Sequence, residues 1–366
     1  MKKRLLCLLL SIVFCLCLTG CGSLYDKEYV SISHYTIQPE TEASKEEITV
    51  SNLNELTSAI KSLVSEGKTS GRIIFTEDYQ GEPSEDLAAA CWAVRTHDAL
   101  CAYCVDNISY DLSKIVSYMK ADILVSYSDR GVRFSDILKL PYAVGVDKII
   151  EQALSDGTAK LAILINSSTM SANDIEELAL NVYKTNPLIS PCTPKVHASL
   201  FNGSNLQKLY EIIFSYILDK EELDQRREVL NSFEPFSKDD LTLTDLEKAA
   251  LVFEYFTDCE YNPEKTSIYE ALIEKSADSE GYSLACVALC NKLGLESKIV
   301  EGQLNYTAHS WNLVKINGYY YHFDASSYIQ NKTAQSVEEL LMNDSQAWGI
   351  YRWDTSAYPG CSGTLE

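Results

Sequence analysis

Between Asp278 and Gly294 the apolar residues Tyr282, Ala285, Cys286, Leu289 and Leu293 fall at i, i+3, i+4, i+7 and i+11, the spacing of one helix face. Asp278 offers an N-cap and Gly294 a stop, so the pattern predicts a helix over 279–293 whose stripe packs on a sheet. Ser279 then sits in the first turn, where unpaired backbone N–H groups and the helix dipole favour an anion. Farther on the period changes to two. Runs of alternating polarity, His309 to Ile316 and Tyr319 to Ala325, flank Asn317-Gly318, the strongest short-range hairpin signal. A two-residue turn sets Ile316 against Tyr319, Trp311 against Asp324 and His309 against Ser326. His309 and Asp324 become diagonal neighbours on one face, about 7 Å or less apart at Cβ and within reach of a hydrogen bond.

Upstream, residues 48–222 read as an α/β region built from two similar modules, about 48–135 and 140–222. The first carries a helix from Leu53 to Val64, a strand from Arg72 to Phe75 and a helix from Ser84 to Arg95. The second carries Val146 to Leu154, Leu161 to Ile165, and Ser171 to Tyr183 with Ser171 and Asp174 at its start. Each adds strand-like segments, Cys101 to Tyr110 and Val196 to Phe201. Leu206 to Leu218 reads as a helix that, with the charged run Asp219 to Arg227, links the halves. A C-terminal domain, 237–366, begins near Ser237. There Thr244 or Asp245 caps a helix with Leu246, Ala249, Ala250 and Phe253 on one stripe, closed by Tyr261-Asn-Pro263. The fold class is α+β.

The first residues change the picture from fold to address. Lys2, Lys3 and Arg4 precede an apolar run from Leu5 to Leu18, too short to span about 30 Å of hydrocarbon. Leu18-Thr-Gly-Cys21 resembles a bacterial lipobox, which implies a signal over 1–20, cleavage before Cys21 and diacylation of its sulfur. The expected location is the outer face of the cell membrane, with polar residues 21–47 as a tether. The formal charge is −21, and losing Lys2, Lys3 and Arg4 with no acidic neighbour takes it to −24. Such a field excludes nucleic acid as a partner. Of twelve cysteines, three leave with the signal and Cys21 takes lipid, so eight remain in a compartment that permits disulfides. Cys101 and Cys104 have no second pair at ligand spacing, and no metal or other cofactor is expected. Cys286 and Cys290 lie inside the predicted helix as structural thiols. His97 and His197, and Asp174, Glu176 and Glu177, read as surface or solvated groups.

Ser279-Glu-Gly-Tyr-Ser283, His309-Ser-Trp-Asn312 and Tyr320-Tyr-His-Phe-Asp324 together resemble the transglutaminase-like family, a branch of the papain-like cysteine-protease superfold. The likeness extends upstream over Thr257 to Asn262 and downstream over Trp353 to Cys361. It implies a papain-like domain with a helix packed on an antiparallel sheet. It further implies that His309 is the acid/base, that Asp324 orients it, and that Trp311 and Tyr282 support the site. The family's nucleophilic cysteine falls on Ser279. A hydroxyl cannot be pre-ionised as a thiol near pKa 8.5 can, so attack must be concerted with proton removal. The expected function is a non-catalytic binding module for a peptide, peptidoglycan or surface-protein ligand. Two alternatives stand: an acyl-transfer enzyme or amidase using Ser279, His309 and Asp324, and replacement of the nucleophile by Cys286.

Overall fold

The computed structural model describes residues 47–130 and 134–364. The expected signal, the lipid site at Cys21 and the tether up to residue 46 lie outside the described residues. At the start of the described residues, β1 (Glu47–Asn52) runs directly into α1 (Leu53–Ser65), because the Asn52 side chain accepts the Glu55 N–H and so caps the helix. There follow β2 (Ser70–Gln80), α2 (Pro83–His97), α3 (Ala99–Cys104), β3 (Val105–Ile115) and β4 (Tyr118–Tyr127). Next come β5 (Leu138–Tyr142), α4 (Val146–Ser155), β6 (Lys160–Ser167), α5 (Ala172–Thr185), β7 (Lys195–Asn202) and β8 (Lys208–Ser215). The sheets run β1-β2-β4-β3 and β5-β6-β8-β7. In each, the first pair is parallel and the other two are antiparallel.

Two expectations are corrected here. Cys101 to Cys104 is helical, since Asp98 caps α3 by accepting the Cys101 N–H, and the strand begins only at Val105. The expected helix from Leu206 to Leu218 is strand β8. Both faces of that strand are buried, which gives a nearly continuous apolar run without a readable period. Tyr210, Ile212 and Phe214 join the core beneath α4 and α5, while Leu209, with Ala162 and Leu164 of β6, packs into the core that holds α1, α2 and α3. The charged run after it is α6 (Lys220–Asn231), capped by Asp219.

The C-terminal domain opens with α7 (Asp245–Tyr255), where Thr244 and Glu247 form a reciprocal capping box. This helix ends at Tyr255, six residues before the expected stop, because Glu260–Tyr261 leaves to form the short strand β9. Then come α8 (Ile268–Leu272), β10 (Ser276–Ala277), paired parallel with β9, and α9 (Ser279–Leu293). An antiparallel sheet follows from β11 (Ser297–Leu304), β12 (Thr307–Ile316) and β13 (Tyr319–Phe323). After α10 (Ala325–Asn331), α11 (Val337–Leu340) and α12 (Asp344–Ala347), β14 (Tyr351–Arg352) joins the edge of β11.

Helix α9 has the expected limits and caps: Asp278 accepts the Gly281 N–H, and Gly294 ends it in the left-handed region. Its packing exceeds the expected stripe, because every residue from Gly281 to Cys290 is buried. Sheet strands β11 and β12 contact it, as do α7, α8 and α10. A helix covered all round is the centre of a domain, and its hydrophobic residues share one core with α4, α5 and the inner face of β6 and β8.

Candidate functional site

The entry to α9 is set by close packing. A Cβ at Gly281 would come within 2.8 Å of the Ala277 Cβ and 3.1 Å of the Ser267 carbonyl oxygen, so only glycine lets the first turn of α9 lie against the start of α8. Tyr282, fully buried, holds the same corner: its hydroxyl donates to the Glu260 carbonyl and accepts the Ala277 N–H at 3.1 Å. Tyr282 thus ties β9 and β10 together behind Ser279 and does not touch the groups in front of it. Asp278 spends its carboxylate on the Gly281 N–H at 3.0 Å, and burial raises its pKa above the ordinary aspartate value.

Asn317 and Gly318 both have positive φ, 51° and 87°, as the two-residue turn requires, and the register is the expected one, from Ile316↔Tyr319 to Asn312↔Phe323. The ladder stops there. Trp311 has no ladder partner at Asp324, and His309 none at Ser326, because Asp324 leaves the sheet to cap α10 by accepting the Ser327 N–H at 2.9 Å. The juxtaposition survives this turn: His309 Nε2 meets Asp324 Oδ2 at 2.7 Å, with both side chains almost wholly buried. Four groups contact the Asp324 carboxylate. Oδ1 accepts Ser326 Oγ at 2.8 Å and the Ser327 N–H, while Oδ2 accepts the Tyr351 hydroxyl at 2.9 Å beside the imidazole. A buried carboxylate with its acceptor sites filled in this way is a fixed base for orienting a ring.

The imidazole therefore presents Nδ1 as its remaining polar atom, and Nδ1 has no hydrogen-bond partner among the described residues. Ser279 lies close by, since the N–H of Ser310, next in chain to His309, donates to Ser279 Oγ at 3.4 Å. No hydrogen bond joins Ser279 to His309. Cys286, the alternative nucleophile, is fully enclosed one turn and more into α9, where burial raises its thiol pKa far above the usual range. It is a core residue.

Trp311 stacks beside the ring of His309, centroids 6.2 Å apart and planes 24° from parallel. Its own indole N–H donates to His322 Nδ1 at 2.8 Å, and His322 Nε2 meets Asp344 Oδ1 at 2.9 Å. His322, Asp344 and Tyr351 were not among the residues expected from sequence. His322 sits one position before Phe323 in the Tyr320 to Asp324 motif, and that placement was the available signal. Asp344 and Tyr351 carry none, because short helices and two-residue strands leave no period to read.

Elsewhere, His97 packs edge-on against Trp92, and exposed His197 lies 3.2 Å from Glu176, which also accepts the Ala198 N–H. Asp174 is the reciprocal cap of α5, and Asn173 donates to Glu177. The eight cysteines of the described residues are all free and buried, Cys101 and Cys104 among them. A cleft of about 480 Å³ opens between α2 and β3, lined by Cys91, Trp92, Arg95 and Tyr110, and it includes none of the site residues above.

A family model described as the transglutaminase-like superfamily matches residues 237–325. No curated protein matches the chain. One similar solved structure is described as a TGase, with 13% identity over 63% of this chain and 68% of that one and a TM-score of 0.23. Another is described as a candidate cysteine protease from Cytophaga hutchinsonii, with 12% identity over 43% of this chain and 70% of that one and a TM-score of 0.20. Residues 237–325 are thus similar to the transglutaminase-like superfamily, within a chain of mixed α and β elements.

Proposed function

We propose, from the premise that residues 237–325 are a transglutaminase-like domain, that this protein is a binding module at the cell envelope which keeps the frame of an acyl-transfer site without its chemistry. The observation that carries the reading is the missing link between Ser279 and its base. A serine nucleophile must pass its proton to the imidazole as it attacks, and here Ser279 Oγ takes the Ser310 N–H while His309 Nδ1 has no hydrogen-bond partner among the described residues. The serine stands where the resemblance puts a cysteine, and a frame built for a larger, pre-ionised sulfur gives a hydroxyl no activated state. A ligand would be a peptide, a peptidoglycan fragment or another surface protein.

A second reading is supported by the His309–Asp324 pair. Its completeness favours an acyl-transfer enzyme or amidase in which substrate binding brings Ser279 Oγ onto Nδ1. Incubation with a glutamine-bearing protein and a fluorescent primary amine separates the two. Wild type and Ser279→Ala should incorporate the amine equally little; incorporation by wild type alone would establish the second reading.

Anchoring belongs to the same proposal and rests on Leu18-Thr-Gly-Cys21 after a short apolar run. The protein should partition with membranes and its N-terminal peptide should carry lipid mass on Cys21. A Cys21→Ala chain that is still processed and membrane-bound would overturn the lipid anchor.

A further inference from the structure

Residues 342–361 return across the hairpin after the family match has ended. Their path is fixed at three places. Met342 exchanges both backbone hydrogen bonds with His322, at 2.8 and 3.0 Å. Asp344 N–H donates to the Cys361 carbonyl, and the Cys361 N–H returns to Asp344 Oδ2, each at 2.9 Å. Tyr351 lies 5.0 Å from the Trp311 ring and reaches Asp324. Fit is close: a Cβ at Gly302, the ladder partner of His309, would come 2.3 Å from the Arg352 carbonyl oxygen and 2.8 Å from the Trp311 ring.

We infer that this C-terminal segment is part of the candidate site, and that His322 is a positioning residue. Held between the Trp311 indole and the Asp344 carboxylate, it fixes the plane of Trp311 beside His309.

Proton accounting supports the direction of the relay. An indole nitrogen only donates, so His322 Nδ1 must accept; the ring proton then sits on Nε2 and goes to Asp344. Burial keeps that ring neutral, lowering its pKa below the usual histidine value. The same accounting weighs against a cation at His322, Asp344 and Cys361, whose ligand atoms lie within 4.8 Å of one another. A metal on Nε2 would displace the proton that Nδ1 has no means of carrying while it accepts from Trp311.

The test uses the full chain and two readouts. The first is hydrogen exchange of the Trp311 indole N–H by NMR, in protein with Ser279 unaltered. The second is the iodoacetamide rate at position 279 in a Ser279→Cys background, which rests on the proposed function. His322→Phe should speed indole exchange by about a hundredfold and slow alkylation by about tenfold, as for a displaced orienting group. His322→Gln, which can accept from the indole and donate to Asp344, should restore both to within about threefold. Unchanged indole exchange in His322→Phe, or one equivalent of bound zinc that Cys361→Ser removes, would overturn the relay. So would faster exchange with an unaltered alkylation rate, since His322 would then be structural only. If Ser279→Cys gains no reactivity, the site differs from a cysteine site by more than one atom, the binding-module reading stands without the retained frame, and the indole readout alone decides whether His322 holds Trp311.

Discussion

Changing Ser279→Cys should create a thiol that reacts with iodoacetamide near pH 6 at least about a hundredfold faster than Cys286 or Cys290. Two features of the proposed site favour a thiolate there. His309 is held through Nε2 by Asp324 with Nδ1 open, and position 279 lies in the first turn of a fifteen-residue helix whose dipole favours the anion. An imidazolium at His309 would pair with the sulfur, so His309→Ala in the same background should abolish the advantage. The comparison is internal, because Cys286 and Cys290 are enclosed in the core of α9 and burial keeps Cys286 protonated. Alkylation mapped by peptide mass spectrometry over a pH series checks it; a thiol at 279 no faster than the buried pair would mean the site differs from a cysteine site by more than one atom. Turnover is a separate matter, since a misplacement of about 1 Å in substrate can cost a hundredfold in rate.

The second large effect is on stability. Asp324→Ala should destabilise the C-terminal domain by about 3 kcal/mol or more, read as a lowered midpoint in denaturant unfolding. The side chain is 1% exposed and receives the Ser326 hydroxyl, the Ser327 N–H, the Tyr351 hydroxyl and His309. Truncation strands all four in a dry interior, uncaps α10, and releases Tyr351 of the C-terminal segment from the sheet. Asp324→Asn keeps the acceptor toward Ser327 and should cost less. An Asp324→Ala midpoint within error of wild type would mean that water already reaches these donors.

The parts of this molecule that were readable in its sequence are those in which one local signal fixes geometry. Asp278 and Gly294 bound a helix at the two residues where it begins and ends, and Asn317-Gly318 forces a two-residue turn whose parity puts His309 and Asp324 on one face. The parts that were not readable are double-sided or very short. Strand β8 is apolar toward two cores at once, α3 is six residues long and wholly apolar, and α9 lacks a polar face to define its stripe. In each, tertiary burial overrides period. The site itself divides the same way: the hairpin register brings His309 near Asp324, and the turn of Asp324 into α10 completes the contact, whereas Tyr351 and Asp344 reach it through a chain return that no local pattern encodes.

The most direct test of the central claim, that Ser279 occupies the nucleophile position without acting as a nucleophile, is labelling of the unmodified full chain with a biotinylated fluorophosphonate beside Ser279→Ala. The account predicts equal, background labelling of the two proteins. Stoichiometric labelling of wild type that maps to Ser279 and disappears in Ser279→Ala would contradict it and make the protein a serine acyl-transfer enzyme or hydrolase.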